Sequence, residues 1–271
     1  MLSLGMLSWR AHETLRKTLS SYVHLVPLVD EAVIYFNAIT DEDRKIASEF
    51  GFRAEGTHEN LGILGGTLAL ARNLHGDKVI LVQNDNPVNV PQDMLARRLA
   101  AAHSLLDGGM ADMVRLRDRF DHSFSDEDKY MRYWPGEGCR DTLCLRLRRM
   151  MRPAKAKRMA ARAPSVLKDP STTHPDIFKR VGDAFIGDSS LIDYSDQPFL
   201  TSRQLISELL EWADRNKANT STLNGMPVPE IVINKHGWRN RHLRIAVTDG
   251  IFSHSRYDGS FRKDHPSYDM P

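Results

Sequence analysis

The chain has 271 residues, 41% of them hydrophobic and 27% charged, enough for one large α/β domain or two small ones and too apolar for wholesale disorder. A formal net charge of +2 gives no argument for nucleic-acid binding. The two cysteines, Cys139 and Cys144, make neither a disulfide framework nor a structural zinc site, and point to a reducing compartment.

No stretch reaches the roughly 18 consecutive apolar residues that a membrane span needs. The apolar start Met1–Trp9 lacks the basic flank and small-residue cleavage site of a signal peptide. The expectation is a cytoplasmic protein that meets a membrane, if at all, peripherally or through a partner.

In chain order, Leu2–Trp9 reads as a first strand, followed by a helix carrying Leu15, Leu19, Tyr22 and Val23 and closed by Val26-Pro27. Ala32–Phe36 reads as a second buried strand that ends in Asn37. Thr40 then caps a helix with Asp41, Glu42 and Asp43 in its first turn, where carboxylates complement the helix dipole. Phe52–Ala54 is a short third strand. The Gly-bearing run Glu59–Gly66 enters a helix over Thr67–Leu74. Lys78–Val82 is the next buried strand, ending abruptly in Gln83-Asn84-Asp85-Asn86, after which Pro87 forbids continuation. A helix follows from Pro91 to Leu106, with Gly108-Gly109 behind it, then a strand at Met113–Leu116 and a charged loop from Asp118 to Asp128.

The second half is less regular. Leu145–Arg162 is strongly basic, broken at Pro153, and reads first as a solvated loop or helical face; an anionic acceptor, an acidic membrane surface or RNA are the functional readings. No aromatic residues interleave the charges, so stacking on single-stranded nucleic acid is not expected. Gly182–Leu200 is an ordered segment, and Thr201 or Ser202 caps an amphipathic helix with Leu205, Ile206, Leu209, Leu210 and Trp212. Asn216–Asn224 reads as a loop, Ile231–Ile233 as a short strand, and Leu243–Val247 as the last strand before a polar tail.

Strand and helix alternate through residue 116, which predicts βαβ units and a mostly parallel sheet flanked by helices. Three strands end in polar residues: Ser8-Trp9, Asn37 and Asn84–Asn86. In such sheets the ligand crevice lies outside the carboxyl ends of the strands. Oxygen-bearing side chains there suit Mg²⁺ or Mn²⁺ rather than zinc.

These features together resemble a glycosyltransferase of the GT-A fold, related to the large family-2-like group. The resemblance rests on Leu7-Ser8-Trp9-Arg10 with Thr14-Leu15 and Leu19, on Glu59-Asn60-Leu61-Gly62-Ile63 with Gly65-Gly66, on Gln83–Asn86 in the place of an Asp-x-Asp motif, and on the late Gly250-Ile251-Phe252-Ser253-His254. It covers residues 1–116 and, more loosely, 182–255. The fold it implies is a Rossmann-like GT-A domain over 1–271, with a nucleotide-sugar-binding half (1–116) and an elaborated acceptor-side half (117–271). The activity it implies is metal-dependent transfer of a sugar from a nucleotide-sugar donor to a carbohydrate, lipid or protein acceptor; inversion is the expected course, and the sequence leaves retention open. The alternatives are a non-catalytic nucleotide-sugar-binding protein and a sugar-phosphate nucleotidyltransferase; the latter's Gly-rich loop after the first strand is replaced by Trp9-Arg10-Ala11-His12.

The resemblance assigns Ser8, Trp9, Asn37, Asn60, Gly62 and Asn84 to the donor, with Asp41 beside Asn37. Asp85, Asn86 and His254 are assigned to Mn²⁺ or Mg²⁺. The motif departs from the family pattern in having one carboxylate, so the donor's diphosphate is expected to supply much of the charge that holds the ion. An inverting transferase needs a carboxylate base; Asp196 is the first choice and Asp193 the second, with Asp188 behind them. Trp9 and Tyr194 are candidates to stack on base or sugar, and Arg256 and Arg262 to pair with phosphate.

Overall fold

The computed structural model describes residues 1–121, 124–218, 220, 222–223, 225–255 and 257; Arg256 and Arg262 lie outside them. The strands are β1 (Leu2–Ser8), β2 (Glu31–Asn37), β3 (Arg53–Thr57), β4 (Lys78–Gln83), β5 (Met113–Arg117), β6 (Lys179–Val181), β7 (Ala184–Asp188), β8 (Phe199–Ser202), β9 (Thr222–Leu223), β10 (Met226–Pro227) and β11 (Arg244–Phe252). The helices are α1 (His12–Ser20), α2 (Asp41–Glu49), α3 (Gly62–Asn73), α4 (Gln92–Asp107), α5 (Phe124–Met131), α6 (Leu143–Met151), α7 (Pro153–Ala160), α8 (Pro170–Thr173), α9 (Arg203–Arg215) and α10 (Pro229–His236).

Nine strands form one sheet in the order β3-β2-β1-β4-β8-β5-β11-β7-β6, with residues of both chain halves interleaved in it. Only β7 and β8 run against the rest. The fold is therefore α/β with a mostly parallel sheet, as expected. Val33, Ile34, Tyr35 and Phe36 are all buried, because helices cover both faces of β2. Leu4, Met6, Ile34, Phe36, Ile80 and Val82 pack with α1, α2 and α4; Leu7, Val33, Tyr35, Val79 and Leu81 pack on the other face with α3 and α9. Two apolar layers result, alternating residue by residue along each strand.

Local chemistry explains most boundaries. Thr40 forms a capping box with Asp43 at the start of α2, as its position predicts. Ser202, rather than Thr201, caps α9, accepting the Leu205 N–H at 3.1 Å. The basic stretch is two helices, α6 and α7, parted at Arg152-Pro153. Four expectations fail. Helix α3 opens at Gly62 rather than Thr67, so Gly62, Gly65 and Gly66 lie within its first turns instead of before it. Ile231–Ile233 lies inside helix α10, whose first turn opens on Pro229; a short apolar triplet does not distinguish strand from helix, and the Pro at the first helical position was the better signal. The charged 118–128 segment contains the start of α5. The last strand runs on to Phe252 through an irregularity between Val247 and Phe252.

That irregularity positions the end of the chain. Gly250 has φ +65, and a Cβ there would stand 2.2 Å from the Arg117 backbone carbon, so only glycine fits. Arg98 donates to the Gly250 carbonyl at 2.6 Å, and the buried Arg119 pairs with Asp249 at 2.6 Å while binding the Pro164, Leu167 and Lys168 carbonyls. The bulge turns residues 253–255 toward the end of β4. Both cysteines are free and exposed, and among the described residues no helix is long and apolar enough to cross a membrane.

Candidate active site at the carboxyl ends of the strands

The chain passes from β1 outward to β2 and β3, then returns to β4 on the other side of β1. The topological switch point therefore lies between the ends of β1 and β4, where α/β sheets open a crevice. Backbone strain gathers on the same rim. Arg10 and Ala11, directly after β1, have φ of 52 and 53, and Ala38, directly after β2, has φ 58. Non-glycine residues in this region cost on the order of 1–3 kcal/mol each and persist only where surrounding structure holds them.

The corner after β4 is built by its own polar groups. The Asn84 N–H extends the ladder to the Leu7 carbonyl at 3.1 Å. The Asn84 carbonyl accepts from the Thr18 hydroxyl at 2.7 Å, and its amide donates to Ser8 Oγ at 3.2 Å. Asn86 turns inward: its Oδ1 accepts the Gln83 N–H at 2.8 Å, its carbonyl accepts the Tyr22 phenol at 2.7 Å, and its amide nitrogen reaches the Ser253 carbonyl at 3.5 Å. The Asn86 side chain, expected as a metal ligand, is thus engaged in bracing the turn. In the sequence Tyr22 reads only as an apolar position of the first helix, and Thr18 is not singled out; hydroxyls recurring four residues apart among leucines were the available signal.

The end of the chain is zipped onto this corner by the Ser253 N–H to the Pro87 carbonyl (3.0 Å) and the Ser255 N–H to the Asp85 carbonyl (2.8 Å). His254 is consequently delivered to Asp85, Nε2 to Oδ2 at 3.3 Å. The Asp85 side chain is 1% exposed and that of His254 43%, so the pair joins a buried carboxylate to an accessible imidazole. The His254 N–H is itself held by Asp121 Oδ2 at 2.6 Å. Burial and the nearby Asp85 charge push the Tyr22 phenol well above its usual value, so it stays a donor.

On the β2 side, Asn37 is buried and clamps the entry of α3, accepting the Leu61 N–H (3.3 Å) and donating to the Gly62 carbonyl (3.1 Å). Asn60 Oδ1 accepts the Gly62 N–H at 2.9 Å. Ser8 and Asn84 bind each other, and Asn37 at the end of β2 and Asn60 both hydrogen-bond Gly62 at the start of α3, so these donor-side candidates build the rim. Trp9 remains half-buried, with the Arg10 guanidinium 5.2 Å from its ring centroid. A Cβ on Gly66 would lie 2.7 Å from Leu7 Cδ1 and 2.8 Å from both Asn37 amide atoms. Gly66→Ala is therefore expected to cost about 1–3 kcal/mol in urea unfolding by displacing Asn37; an unchanged midpoint would show that the clamp yields freely.

The carboxylate candidates separate by topology. Because β8 is antiparallel to β4, with Leu81 opposite Phe199, the residues leading into β8 lie along the end of β4. Tyr194 and Asp196 share a small cavity with Leu7 and Gln83. Asp188 ends β7 on the opposite rim, beside Arg244, and contacts His242 at 3.2 Å. Asp193 pairs with Arg239 at 2.7 Å, while Arg115 donates to its carbonyl. Burial, then the charge of Glu230, raises the Asp196 carboxyl to about 7, against partial relief from the Glu230 N–H and the Tyr194 hydroxyl. Glu230 is itself raised, chiefly by burial, with Arg115 and Arg162 opposing and Asp193 and Asp126 adding to the shift. Sequence reading missed Glu230, which the start of α10 brings beside Asp196, and Arg115, whose charge acts on Glu230 and Asp193.

Among the described residues no group of three or more His, Cys, Asp or Glu side chains is arranged to hold a metal. The protein offers a pair, one carboxylate and one imidazole.

No family model matches the chain, and no curated protein matches it. Among solved structures it is similar to glucosyl-3-phosphoglycerate synthase from Mycobacterium tuberculosis in complex with Mn²⁺, UDP and glucosyl-3-phosphoglycerate, at 14% identity and a TM-score of 0.48 over 95% of this chain and 72% of that one. It is similar to S. aureus TarS residues 1–349, at 12% and 0.49 over 94% and 60%. It is also similar to a nucleotidyl transferase from Methanothermobacter, at 10% and 0.47 over 92% and 86%. With TM-scores below 0.5, these likenesses carry no functional weight, and the chemistry rests on the residues of the crevice.

Proposed function

We propose that the chain is a metal-dependent glycosyltransferase that takes a sugar from a nucleoside-diphosphate sugar and passes it, with inversion, to a hydroxyl of a carbohydrate, lipid or protein acceptor. The observation that carries this reading is a division of labour on one rim. A buried carboxylate with an imidazole 3.3 Å away stands at the switch point, and a second carboxyl, raised to about 7, stands at the end of the neighbouring strand.

Asp85 and His254 would hold Mn²⁺ or Mg²⁺. Their oxygen and nitrogen donors fit such an ion, which characteristically takes one or two carboxylates and completes its shell with phosphate oxygens and water. When bound, the ion supplies positive charge against the departing diphosphate. Asn86, Thr18 and Tyr22 keep Asp85 in place through the turn, and Asp121 keeps His254 in place. Trp9 offers a ring face for the nucleobase, while Ser8, Asn37, Asn60, Gly62 and Asn84 wall the donor side. Asp196 takes the acceptor proton as the hydroxyl attacks the anomeric carbon; burial and Glu230 make it basic enough to do so near neutral pH. Asp193, neutralised by Arg239, positions the loop rather than the proton.

The test is a thermal-shift and nucleotide-release assay with UDP-, GDP- and CMP-linked sugars, with and without Mn²⁺. A nucleoside-diphosphate sugar should raise the unfolding midpoint only with metal present and release nucleoside diphosphate slowly to water. At free ligand about 100 times Kd the stabilisation is about 2.7 kcal/mol. Metal-dependent binding with no turnover on any acceptor would instead mark a nucleotide-sugar-binding protein, and no binding at all would remove the reading.

A further inference from the structure

Helix α6 presents its apolar side to solvent. Leu143, Leu147, Met150 and Met151 are 71%, 44%, 75% and 77% exposed, and no residue of α6 is buried. At 3.6 residues per turn these four positions fall on one stripe about 100° wide. The body-facing side is formed by Leu145 and Arg149, both half-buried, with Arg149 held to Asp141 at 2.6 Å and stacked 4.5 Å from the Trp134 ring centroid. The helix is therefore anchored by its polar side and turned inside out relative to a helix that packs on a core.

Cations frame the stripe. Arg146 and Arg148 flank it, and Arg152, Lys155, Lys157 and Arg158 follow on the connection and on α7. No acidic residue occurs from Thr142 to Lys168, and no carboxylate among the described residues pairs with those last four cations. Between α5, α6 and α7 lies a groove of about 820 Å³ whose walls combine Arg132, Arg152 and Lys155 with Leu147, Met151 and Met159. The solvated-face reading of this basic stretch accounts for the charges but leaves four large apolar side chains in water on one line.

We propose that α6 and the start of α7 form a docking surface for an anionic lipid membrane. An apolar stripe bordered on both sides by arginines is the pattern of a helix that lies in the plane of a bilayer, with Leu143, Leu147, Met150 and Met151 entering the headgroup boundary. Arg152, Lys155, Lys157 and Arg158 then face the lipid phosphates, and the groove accepts an anionic headgroup over Met151. Charge decides against a second copy of the chain as occupant, since two such surfaces would oppose cation to cation with no acid between them. The inference uses none of the crevice residues and stands whether or not the transferase reading holds.

The experiment is vesicle co-sedimentation of the full chain with phosphatidylcholine alone and with phosphatidylcholine containing phosphatidylserine. The protein should pellet with the anionic vesicles only, and raised salt should release it. Arg152→Ala, Lys155→Ala and Arg158→Ala should each weaken binding about fivefold. The double variant Leu147→Asp, Met150→Asp should lose binding while its circular dichroism stays that of the parent, because both side chains are exposed. Equal pelleting with neutral vesicles, no pelleting, or unchanged binding by these variants would overturn the proposal. A lipid-free dimer that the Leu147→Asp, Met150→Asp variant dissolves would overturn it too, assigning the stripe to self-association.

Discussion

Asp85→Asn is expected to abolish metal-dependent binding of nucleoside diphosphate and to lower turnover roughly a hundredfold to a thousandfold, the scale on which removing one preorganised electrostatic group acts. The substitution keeps the side-chain shape and removes the charge. It leaves intact the Thr18, Tyr22 and Ser255 hydrogen bonds to the corner, which run to backbone carbonyls, so the fold should survive. Isothermal titration of UDP and GDP with and without Mn²⁺ checks it: unchanged metal-dependent affinity would remove Asp85 from the metal site. His254→Ala should act in the same direction but less strongly, because phosphate oxygens and water can replace an accessible imidazole more readily than a buried carboxylate.

Asp196→Asn is expected to lower kcat by about 10²–10⁴, the usual contribution of a positioned general base, with donor affinity nearly unchanged. The pH dependence carries the sharper signature. With its carboxyl at about 7, Asp196 is competent only when ionised, so kcat should rise through neutral pH and level off above it, and the variant should lack that limb. Stability moves the other way. A carboxyl raised by burial is favourable while protonated; its contribution is fully present below the ordinary carboxylate value and is lost as pH rises through about 7. Asp196→Asn should therefore be more stable than the parent above neutral pH. A variant with the same pH-rate limb and near-normal turnover would clear Asp196 of the role, and one destabilised at every pH would mark it as structural.

Most of the outer frame was legible in the residues. Val79–Val82 could only be a short buried strand, because four consecutive apolar residues ended by a polar turn and Pro87 leave few alternatives. The Thr40 capping box and the Thr201-Ser202 pair announce their helices by local chemistry that acts within three residues, the structure choosing Ser202 of the pair. Ile231–Ile233 was misread because three apolar residues carry no period; their burial in α10 depends on what packs against them.

The crevice was legible by type and only partly by role. Polar residues at three strand ends named the rim, and Asp85 and His254 were both identifiable, though 169 positions apart, through the late segment's resemblance. Asn86, Asn84, Ser8, Asn37 and Asn60 were read as ligand-binding because they sit where ligands bind. The structure engages their side chains with one another and with backbone, since buried polar atoms at a strained rim must be paired. Sequence spacing says nothing of whether an amide faces a ligand or its own turn.

The sequence by itself determined the alternating elements, the caps, the break at Pro153 and the place where β4 surfaces, because each depends on neighbours a few residues away. Only the tertiary structure decided which carboxylates share the crevice. Reversal of β8 carries Asp196 to the rim and reversal of β7 carries Asp188 to the opposite one, and the Gly250 bulge swings His254 onto Asp85. It also decided that the apolar stripe of α6 faces outward, since amphipathicity fixes that a helix has two sides while only packing chooses which side meets the protein.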